Sequence, residues 1–454
     1  QYIESAEKAT NNKEKALIYK QLAELLIARD DFKNAATFYV KALSLSQDFS
    51  EQEKIQIANY MAWGERLSDA ITLLRDVLQK NPDNQEARVN LAKFLSWSGQ
   101  LDEAIKEADN VLYKSPQNRE ALLVKANAIN WKGKPRQAIP IYESLLKEQE
   151  DFDARLSYTY ALLGIGSIKA AKESAMLLKS SYEYQEKELK ELQDKLDTVR
   201  RPTLDSGYSY YRDSDHNILN RYYANFEFWF NDYKFDLHYR HTAAKGWLYN
   251  NRAEEVSLGV YKKVSDTIGI GVGTGLADLH NSTTHNFITG HINADIDFLE
   301  GSVGVMFSRE VMTDTAEIID NKIKINNLGL NIVQRLTDRW SIYGSYNYKD
   351  YSDNNFSHDF QITPKYLILN GNPGVSIGYT LRYLTFDRQT YHGYFDPENF
   401  LSNQLTLYFN YVKDKFYIYL EPYGGYQGYK RYGDSKHEVF GGGSGILGYK
   451  ISKS

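Results

Sequence analysis

Apolar and polar side chains alternate strictly along many short segments of the second half of the chain, which begins near residue 202. One segment shows the pattern: apolar Tyr233, Phe235, Leu237 and Tyr239 alternate with polar Lys234, Asp236, His238 and Arg240. Side chains of a β-strand point to its two faces in turn, so a period of two places each set on one face. The pattern therefore predicts strands with one apolar and one polar face.

The same alternation recurs in about 14 segments of similar length. We predict strands near 203–211, 220–231, 233–242, 253–264, 267–278, 286–298, 302–311, 322–336, 339–350, 357–369, 374–387, 400–412, 416–428 and 437–450. Tight turns such as Asn231-Asp232 and Lys413-Asp414 alternate with long polar connections, which are predicted at 212–219, 243–252, 312–321 and 388–399. Long loops at one end and tight turns at the other are typical of a transmembrane barrel, whose apolar face contacts lipid. A soluble β domain is the alternative.

The first half of the chain repeats with a period of 34 residues. Small residues recur at Ala23, Ala58, Ala92 and Ala126 and at Ala35, Ala70, Ala104 and Ala138, and indoles recur at Trp63, Trp97 and Trp131. This period resembles the tetratricopeptide repeat, a helix–turn–helix unit. We predict an α-solenoid over 1–180 with four clear repeats and one degenerate repeat, a charged capping or linker helix over 181–201, and the barrel over 202–454. The predicted fold class is multidomain α + β, an α-solenoid followed by an antiparallel transmembrane β-barrel of about 14–16 strands.

The repeats contain a candidate groove on their first helices. Its residues recur with the same period, and they are Asn59, Trp63, Lys93, Trp97, Asn127 and Trp131. Arrays of this kind bind partners on a concave face, and indoles stack well on sugar rings, so a peptide, a partner protein or a glycan fits. The alternative, which is the commoner one, is that the three indoles fill space between paired helices.

Composition narrows the function. The net charge of -5 argues against nucleic-acid binding, and the absence of cysteine excludes disulfides and thiolate sites. With a mean hydropathy of -0.55 the chain has no apolar run long enough for a transmembrane helix. The 37 tyrosines suit aromatic girdles at a lipid–water boundary. Because the chain starts with Gln1 and shows no signal peptide, we expect a mature or trimmed product.

No catalytic, cofactor or metal motif is present in the sequence, so we expect a protein that is not an enzyme and needs no cofactor. A hydrolase site of His238, His241 and Ser257, and cation binding by Asp295 with Asp297 or by Asp213 with Asp215, remain minor alternatives. The polar faces instead predict a lumen lined by Glu227, Lys234, Asp236, His238, Arg240, Asp295, Asp297, Lys365, Arg382 and Glu421. Charges of both signs along one wall suit a neutral, hydrogen-bonding substrate.

Three segments carry a resemblance to a known family. They are "MAWGERLSDAI" (Met61–Ile71), "LSWSGQLDEAI" (Leu95–Ile105) and "GYFDPENF" (Gly393–Phe400). Together they resemble the YaiO-like outer-membrane β-barrels with N-terminal tetratricopeptide repeats, which are related to exopolysaccharide-export porins. The resemblance implies a Gram-negative outer membrane, repeats that act as a periplasmic scaffold, and a barrel that conducts a polysaccharide.

The sequence departs from that pattern in two ways. The exporters have many more repeats, and the last segment here lacks a terminal aromatic residue, so either about two strands are missing or the barrel closes differently. Two hypotheses follow. In the first, the barrel passes a glycan, and the repeats bind periplasmic or outer-membrane proteins. In the second, the barrel is a non-conducting anchor and scaffold within a multiprotein envelope complex.

Overall fold

The computed structural model describes residues 9, 11–213, 215–280 and 284–449, and the chain divides into two compact units, 1–192 and 193–454. The first unit is helical and the second is built on a β-sheet. Each is described separately. A charged helix, Glu183–Thr198, lies across the division, in the segment predicted as a linker helix.

Ten helices of the first unit form five helix–turn–helix pairs. They are α1 (Asn12–Ile27), α2 (Phe32–Leu45), α3 (Glu51–Trp63), α4 (Leu67–Lys80), α5 (Gln85–Trp97), α6 (Leu101–Lys114), α7 (Arg119–Trp131), α8 (Pro135–Glu148), α9 (Phe152–Gly164) and α10 (Ile168–Met176), and the charged helix Glu183–Thr198 is α11. None of the described helices is long and apolar enough to cross a membrane.

Local sequence signals set the helix boundaries. The first helix of every pair has a side-chain N-cap, for example Ser50 and Asn84, whose oxygen accepts a hydrogen bond from the backbone N–H three residues on. The turns inside the third, fourth and fifth pairs contain Gly99, Gly133 and Gly166 at φ of 79°, 76° and 74°. Glycine adopts this left-handed conformation without steric cost, so it ends one helix and lets the next begin.

The small residues of the repeat are buried completely. Exposure is 0% at Ala58, Ala92 and Ala126 in the first helices and at Ala70, Ala104 and Ala138 in the second helices. Larger residues fill the space between pairs, such as Tyr39, which is 1% exposed and stacks on Tyr60 with ring centroids 5.9 Å apart. The 34-residue period therefore reflects close helix crossings, as the sequence predicts.

The second unit contains a 14-stranded antiparallel sheet in which each strand pairs with its neighbour in sequence. The strands are β1 (Thr203–Arg212), β2 (Ile218–Phe230), β3 (Tyr233–Lys245), β4 (Asn250–Lys263), β5 (Ile268–His280), β6 (Thr284–Phe298), β7 (Gly301–Val311), β8 (Lys324–Arg335), β9 (Trp340–Tyr351), β10 (Asn355–Leu369), β11 (Gly374–Phe386), β12 (Asn399–Lys413), β13 (Phe416–Arg431) and β14 (Asp434–Tyr449). All 14 predicted strands are confirmed. Among the described residues the ladders join consecutive strands, and none joins β1 to β14.

Two of the predicted long connections are shorter in the structure. Strands β2, β3 and β4 extend into them, so 213–217 and 246–249 remain as loops. The polar composition of these stretches suggests loops, but some of their polar residues belong to strands. Thr242 of β3, for example, is 0% exposed. A polar side chain that is buried against the sheet can therefore continue a strand, which makes the connections shorter than predicted. The two long connections at this end, 312–323 and 387–398, keep their predicted positions.

A short helix, α12 (Ala316–Asn321), lies within the connection 312–323, where the sequence predicts only a polar loop. Its Ile318 and Ile319 are 1% and 0% exposed. Ile319 belongs to a buried cluster with side chains of β2, β3, β4 and β5. Ile318 belongs to a second cluster, with side chains of β8, β9, β11 and β12. Since neighbouring residues of one helix contact distant strands, the sheet curves around α12 and is concave on that side.

The opposite side of the sheet exposes apolar residues along most of its strands. Exposure is 65% at Phe230, 63% at Leu276 and 71% at Ile288. Many further large apolar side chains on this side are exposed as well, including Phe226, Leu237, Val272, Ile292, Ile296, Val305, Leu328, Leu330, Ile332, Leu405 and Leu407. A continuous surface of this size is unusual for a protein surrounded by water.

Candidate functional site

The ten predicted lumen residues share one face of the sheet. Residues directly opposite each other in a ladder point to the same side, and the register links Glu227 to Asp236, Asp295 to Gly304 and, across β7 to β11, Gly304 to Arg382. This is also the side that holds α12, so we call it the inner face. Its residues come from alternate positions of each strand.

Ion pairs connect many of the charges on the inner face of β2 to β6. Lys234 lies 2.8 Å from Glu227, and Lys263 lies 2.9 Å from Asp297. The guanidinium of Arg240 donates to both carboxylate oxygens of Glu255, at 2.7 and 2.8 Å. Paired charges of opposite sign avoid the cost of isolated charge on a partly buried surface.

The other predicted residues on the inner face of β2 to β6 contact neutral groups. Asn293 donates to Asp295 at 3.1 Å, and His238 contacts Asn225. Asp236 packs over Gly259, where an added Cβ would meet its carboxylate. The glycines at 269, 271, 273 and 275 make room in the same way, for Tyr261, Asn293, His291 and Thr289 of the neighbouring strands. These glycines therefore accommodate side chains of the neighbouring strands.

The last three predicted residues lie on the inner face of β10, β11 and β13. The ammonium of Lys365 is 3.7 Å from the ring centroid of Tyr408, a cation–π contact. Arg382 donates to both oxygens of Asp359, at 2.9 and 2.8 Å. Glu421 is exposed, at the end of this face away from α12.

A cavity of about 1140 Å³ opens on the inner face, at the end of the sheet where the long connections lie. Of the ten predicted residues, Arg382 lines it. Aromatic side chains make up much of its wall: Tyr211, Trp247, Tyr249, Tyr351, Phe386, Tyr391, Tyr394, Phe395, Phe400, Tyr429 and Tyr432. Acidic and basic groups, including Asp213, Asp359 and Arg221, line the cavity as well. Aromatic faces and paired polar groups together suit a polyhydroxylated ligand better than an ion of one sign.

The connection 387–398 forms part of the cavity wall and is held by a buried carboxylate. The side chain of Asp396 is 0% exposed and accepts hydrogen bonds from the hydroxyl of Thr390 at 2.9 Å and from Nε of Arg431 at 3.0 Å. Arg431 also donates to the carbonyl of Tyr394 at 2.8 Å. The "GYFDPENF" segment therefore folds inward as an ordered wall.

A second set of contacts holds the middle of this connection. The hydroxyl of Tyr394 donates to Asp353 at 2.7 Å, and its ring stacks on Tyr351 at 5.0 Å. Burial raises the pKa of Tyr394 above its ordinary value. His392 contacts Asp353 at 2.8 Å, and its carbonyl accepts from Asn321 of α12 at 3.3 Å. The connection 387–398 and α12 thus support each other.

Sequence reasoning missed the aromatic side chains that the loops bring to the cavity. Trp247 and Tyr391 are 76% and 78% exposed, and Tyr391 stacks on Tyr432 with centroids 4.7 Å apart. Large aromatic residues within otherwise polar connections were the available signal, because such residues are costly to leave in water without a partner.

The candidate hydrolase site is not assembled. His238 lies opposite Ser257 in the ladder of β3 and β4. His241 is three residues from His238, so it points to the other face of the strand, where it lies 3.4 Å from Glu254. The described residues also contain no group of three or more side chains suited to hold a metal ion.

In the repeat unit, the three predicted indoles lie at equivalent positions, at the last residue of α3, α5 and α7. Exposure is 54% at Trp63, 43% at Trp97 and 50% at Trp131. Close to half of each side chain contacts solvent, so packing between paired helices, the commoner interpretation, accounts for only the buried part of each ring. Trp63 also makes an edge contact with Phe32, at 5.8 Å.

The other three predicted groove residues precede the indoles by one helical turn. Asn59, Lys93 and Asn127 are half-buried. Lys93 places its ammonium 5.2 Å from the ring centroid of Trp97. Asn127 accepts a hydrogen bond from the hydroxyl of Tyr142 at 2.7 Å. Residues four apart lie on one face of a helix, so each of these three helices pairs one indole with one hydrogen-bonding side chain.

Comparison with known proteins identifies the repeats. The tetratricopeptide repeat family model matches residues 65–128, and the sequence matches no curated protein. Among solved structures, a bacterial polysaccharide outer membrane secretin is similar over 52% of this chain and 79% of its own, with 12% identity and a TM-score of 0.43.

Two further solved structures are similar. A tetratricopeptide repeat protein from Parabacteroides merdae covers 44% of this chain and 77% of its own, with 16% identity and a TM-score of 0.38. MamA from Desulfovibrio magneticus RS-1 covers 40% and 97%, with 15% identity and a TM-score of 0.30. The matched family model shows that residues 65–128 are tetratricopeptide repeats.

Proposed function

We propose that this chain is an outer-membrane protein of a Gram-negative cell whose sheet forms a transmembrane barrel that passes a polysaccharide or similar glycan. The observation that carries the proposal is the contrast between the two faces of the sheet. The outer face exposes large apolar side chains such as Phe230, Leu276 and Ile288, and the inner face carries paired charges. Lipid outside and a polar lumen inside satisfy both faces.

The inner face favours a neutral polymer over an ion. Several of its charged side chains are already paired with a side chain of opposite charge, as in Arg240 with Glu255 and Arg382 with Asp359. The cavity at the loop end adds aromatic rings on which sugar rings can stack. In this arrangement the repeats lie in the periplasm and bind protein partners, without catalysis by either unit.

A second candidate is a non-conducting anchor and scaffold within an envelope complex. One observation favours it: α12 and the connection 387–398 fold onto the inner face and contact each other, where Thr315 donates to the carbonyl of Gly393 at 3.3 Å. Packing of this kind narrows the space enclosed by the inner face at the end where the long connections lie. The two candidates differ in whether ions and glycans can pass through that space.

Planar-bilayer recording separates them. The intact protein and a variant lacking residues 314–321 and 388–396 are compared, with fractionation of native membranes to establish that both reach the outer membrane. We expect low conductance from the intact protein and a large, weakly ion-selective conductance from the deletion variant. No conductance from a folded, membrane-inserted deletion variant would rule out passage and leave the anchor. Recovery in the soluble fraction would overturn the membrane proposal itself.

A further inference from the structure

The three exposed indoles of the repeat unit form a periodic row, which we call the indole row: Trp63, Trp97 and Trp131. Each tryptophan is the last residue of the first helix of its repeat, and its side chain is about half exposed. Exposed tryptophan costs free energy in water, so three at one structural position require an explanation. Packing explains the buried half of each ring, as in the contacts of Trp63 with Phe32 and of Trp97 with Phe94. It does not explain why the other half is left facing solvent.

The spacing of the row follows from helix packing. The first helices of consecutive repeats contact each other, α3 with α5 and α5 with α7. Packed helices lie about 8–10 Å apart, so consecutive indoles repeat at about that distance. This distance is comparable to the length of a disaccharide in an extended chain. A row of identical rings at equal intervals matches a ligand that is itself periodic.

The polar neighbours of the row point to the same ligand chemistry. Asn59, Lys93 and Asn127 lie one helical turn before the indoles, and two of them are neutral amides. The amide oxygen of Asn127 accepts from Tyr142, so the group that this side chain can offer to a ligand is its N–H donor. Indole faces combined with amide donors recognise hydroxyl-rich sugars. A cluster of like charges, which an acidic or basic peptide would need, is not formed by these six residues.

We infer that the indole row binds an extended, neutral, β-linked glycan along the repeats, so that the repeat unit contacts the polymer itself as well as protein partners. The inference rests on the proposed function for the class of polymer, but it assigns a different site, in the repeat unit. Each of the three repeats that carry an indole would contribute one stacking platform and one hydrogen-bonding side chain. A peptide that uses the same rings is the competing occupant.

The test uses the full-length protein in a detergent without a sugar head group and follows tryptophan fluorescence and calorimetry during titration with cellohexaose and chitohexaose. We expect saturable binding of at least one of them. Affinity should fall at least tenfold in the variant Trp63→Ala, Trp97→Ala, Trp131→Ala. It should be unchanged in Tyr113→Ala, a matched control on α6 whose side chain is 90% exposed. The half-exposed positions allow the triple variant to fold, which circular dichroism checks, and a triple Trp→Phe variant should retain part of the affinity.

Several outcomes would overturn the inference. One is the absence of binding to either hexasaccharide by folded protein. Another is binding that survives the triple variant and is lost in Trp247→Ala, which would place the site in the cavity of the sheet. A third is equal binding of the helical α-linked maltohexaose. Peptide binding that depends on the three indoles, without glycan binding, would assign the row to a protein partner. Conductance through the barrel is measured independently, so a failure here leaves the proposed function standing.

Discussion

Replacing Arg431 with methionine should release the connection 387–398 from the inner face. The guanidinium of Arg431 lies 2.9 Å from Asp396, whose side chain is 0% exposed. After the substitution, the carboxylate keeps the Thr390 donors but loses its counter-charge in a buried setting. Breaking one partner of a buried ion pair costs about 3–5 kcal/mol. We expect this cost to appear as a lower free energy of local opening of the connection, because the strands on either side keep their ladders.

Hydrogen exchange followed by mass spectrometry measures that opening directly. A loss of about 3–5 kcal/mol corresponds to exchange that is faster by about two to four orders of magnitude. We expect this change to be confined to residues 387–398 and α12. The matched control is the neighbouring Lys430→Met. Lys430 lies 2.7 Å from Glu398, but both side chains are exposed, at 42% and 52%, and exposed pairs contribute about 0–1 kcal/mol.

A double variant sharpens the interpretation. In Arg431→Met with Asp396→Asn, no buried charge is left unpaired, and the amide oxygen can still accept from Thr390. We expect the double variant to exchange more slowly in this connection than Arg431→Met alone. Equal exchange in Arg431→Met and Lys430→Met would refute the reasoning, since the buried pair would then contribute no more than a surface pair.

Three further predictions concern other parts of the chain. Ile319→Ala removes a fully buried side chain of α12 and should destabilise that helix by about 2–5 kcal/mol, read as faster amide exchange. Gly273→Val places a side chain against the ring of His291 and should destabilise the sheet by about 1–3 kcal/mol in thermal unfolding followed on gels. Lys20 and Ser50 hold the pKa of Glu53 at about 2, below its ordinary value of 4.5. Its contribution to repeat stability is therefore present above pH 4.5 and is lost as the pH falls toward 2, so Glu53→Gln should flatten the pH dependence of helix melting in that window.

Matched variants control these predictions. Ile319→Val keeps most of the side chain and should cost about 0.5–1.5 kcal/mol. Gly424→Val places its Cβ no closer than 3.8 Å to its nearest neighbour and should be tolerated. For Glu53, the single variant Lys20→Met should flatten the same pH window. An unchanged pH profile in both variants would contradict the assignment of the pKa shift to this pair.

Periodicity predicted most of the fold because it reports directly on burial. In the sheet, alternation identified all 14 strands, and in the repeats the buried alanines at 0% exposure explain the period of 34. Periodicity could not tell which way the indoles point. A residue that repeats every 34 positions occupies equivalent sites, whether those sites are buried or exposed, and Trp97 at 43% exposure shows that they are exposed.

The cavity was the least predictable part. Its wall combines α12, the connection 387–398 and several strands, and their contacts link residues far apart in sequence. The apolar pair Ile318–Ile319 within a polar connection was the one local sign that this segment folds inward, because both side chains need burial. Which strands would bury them depends on the curvature of the sheet, and that curvature is not encoded in any single segment.

The strand order has a consequence for how the sheet assembles. In the described part of the chain, every ladder joins strands that are neighbours in sequence, so the sheet can grow hairpin by hairpin with short loop closures. The contacts of α12 are different: Asn251 of β4 donates to the carbonyl of Ala316 across 65 residues. Contacts between distant residues form later, since more chain entropy must be lost before they are gained. We therefore expect the sheet to be complete before α12 docks, and pulse-labelled amides of β2 and β3 to gain protection before those of residues 316–321.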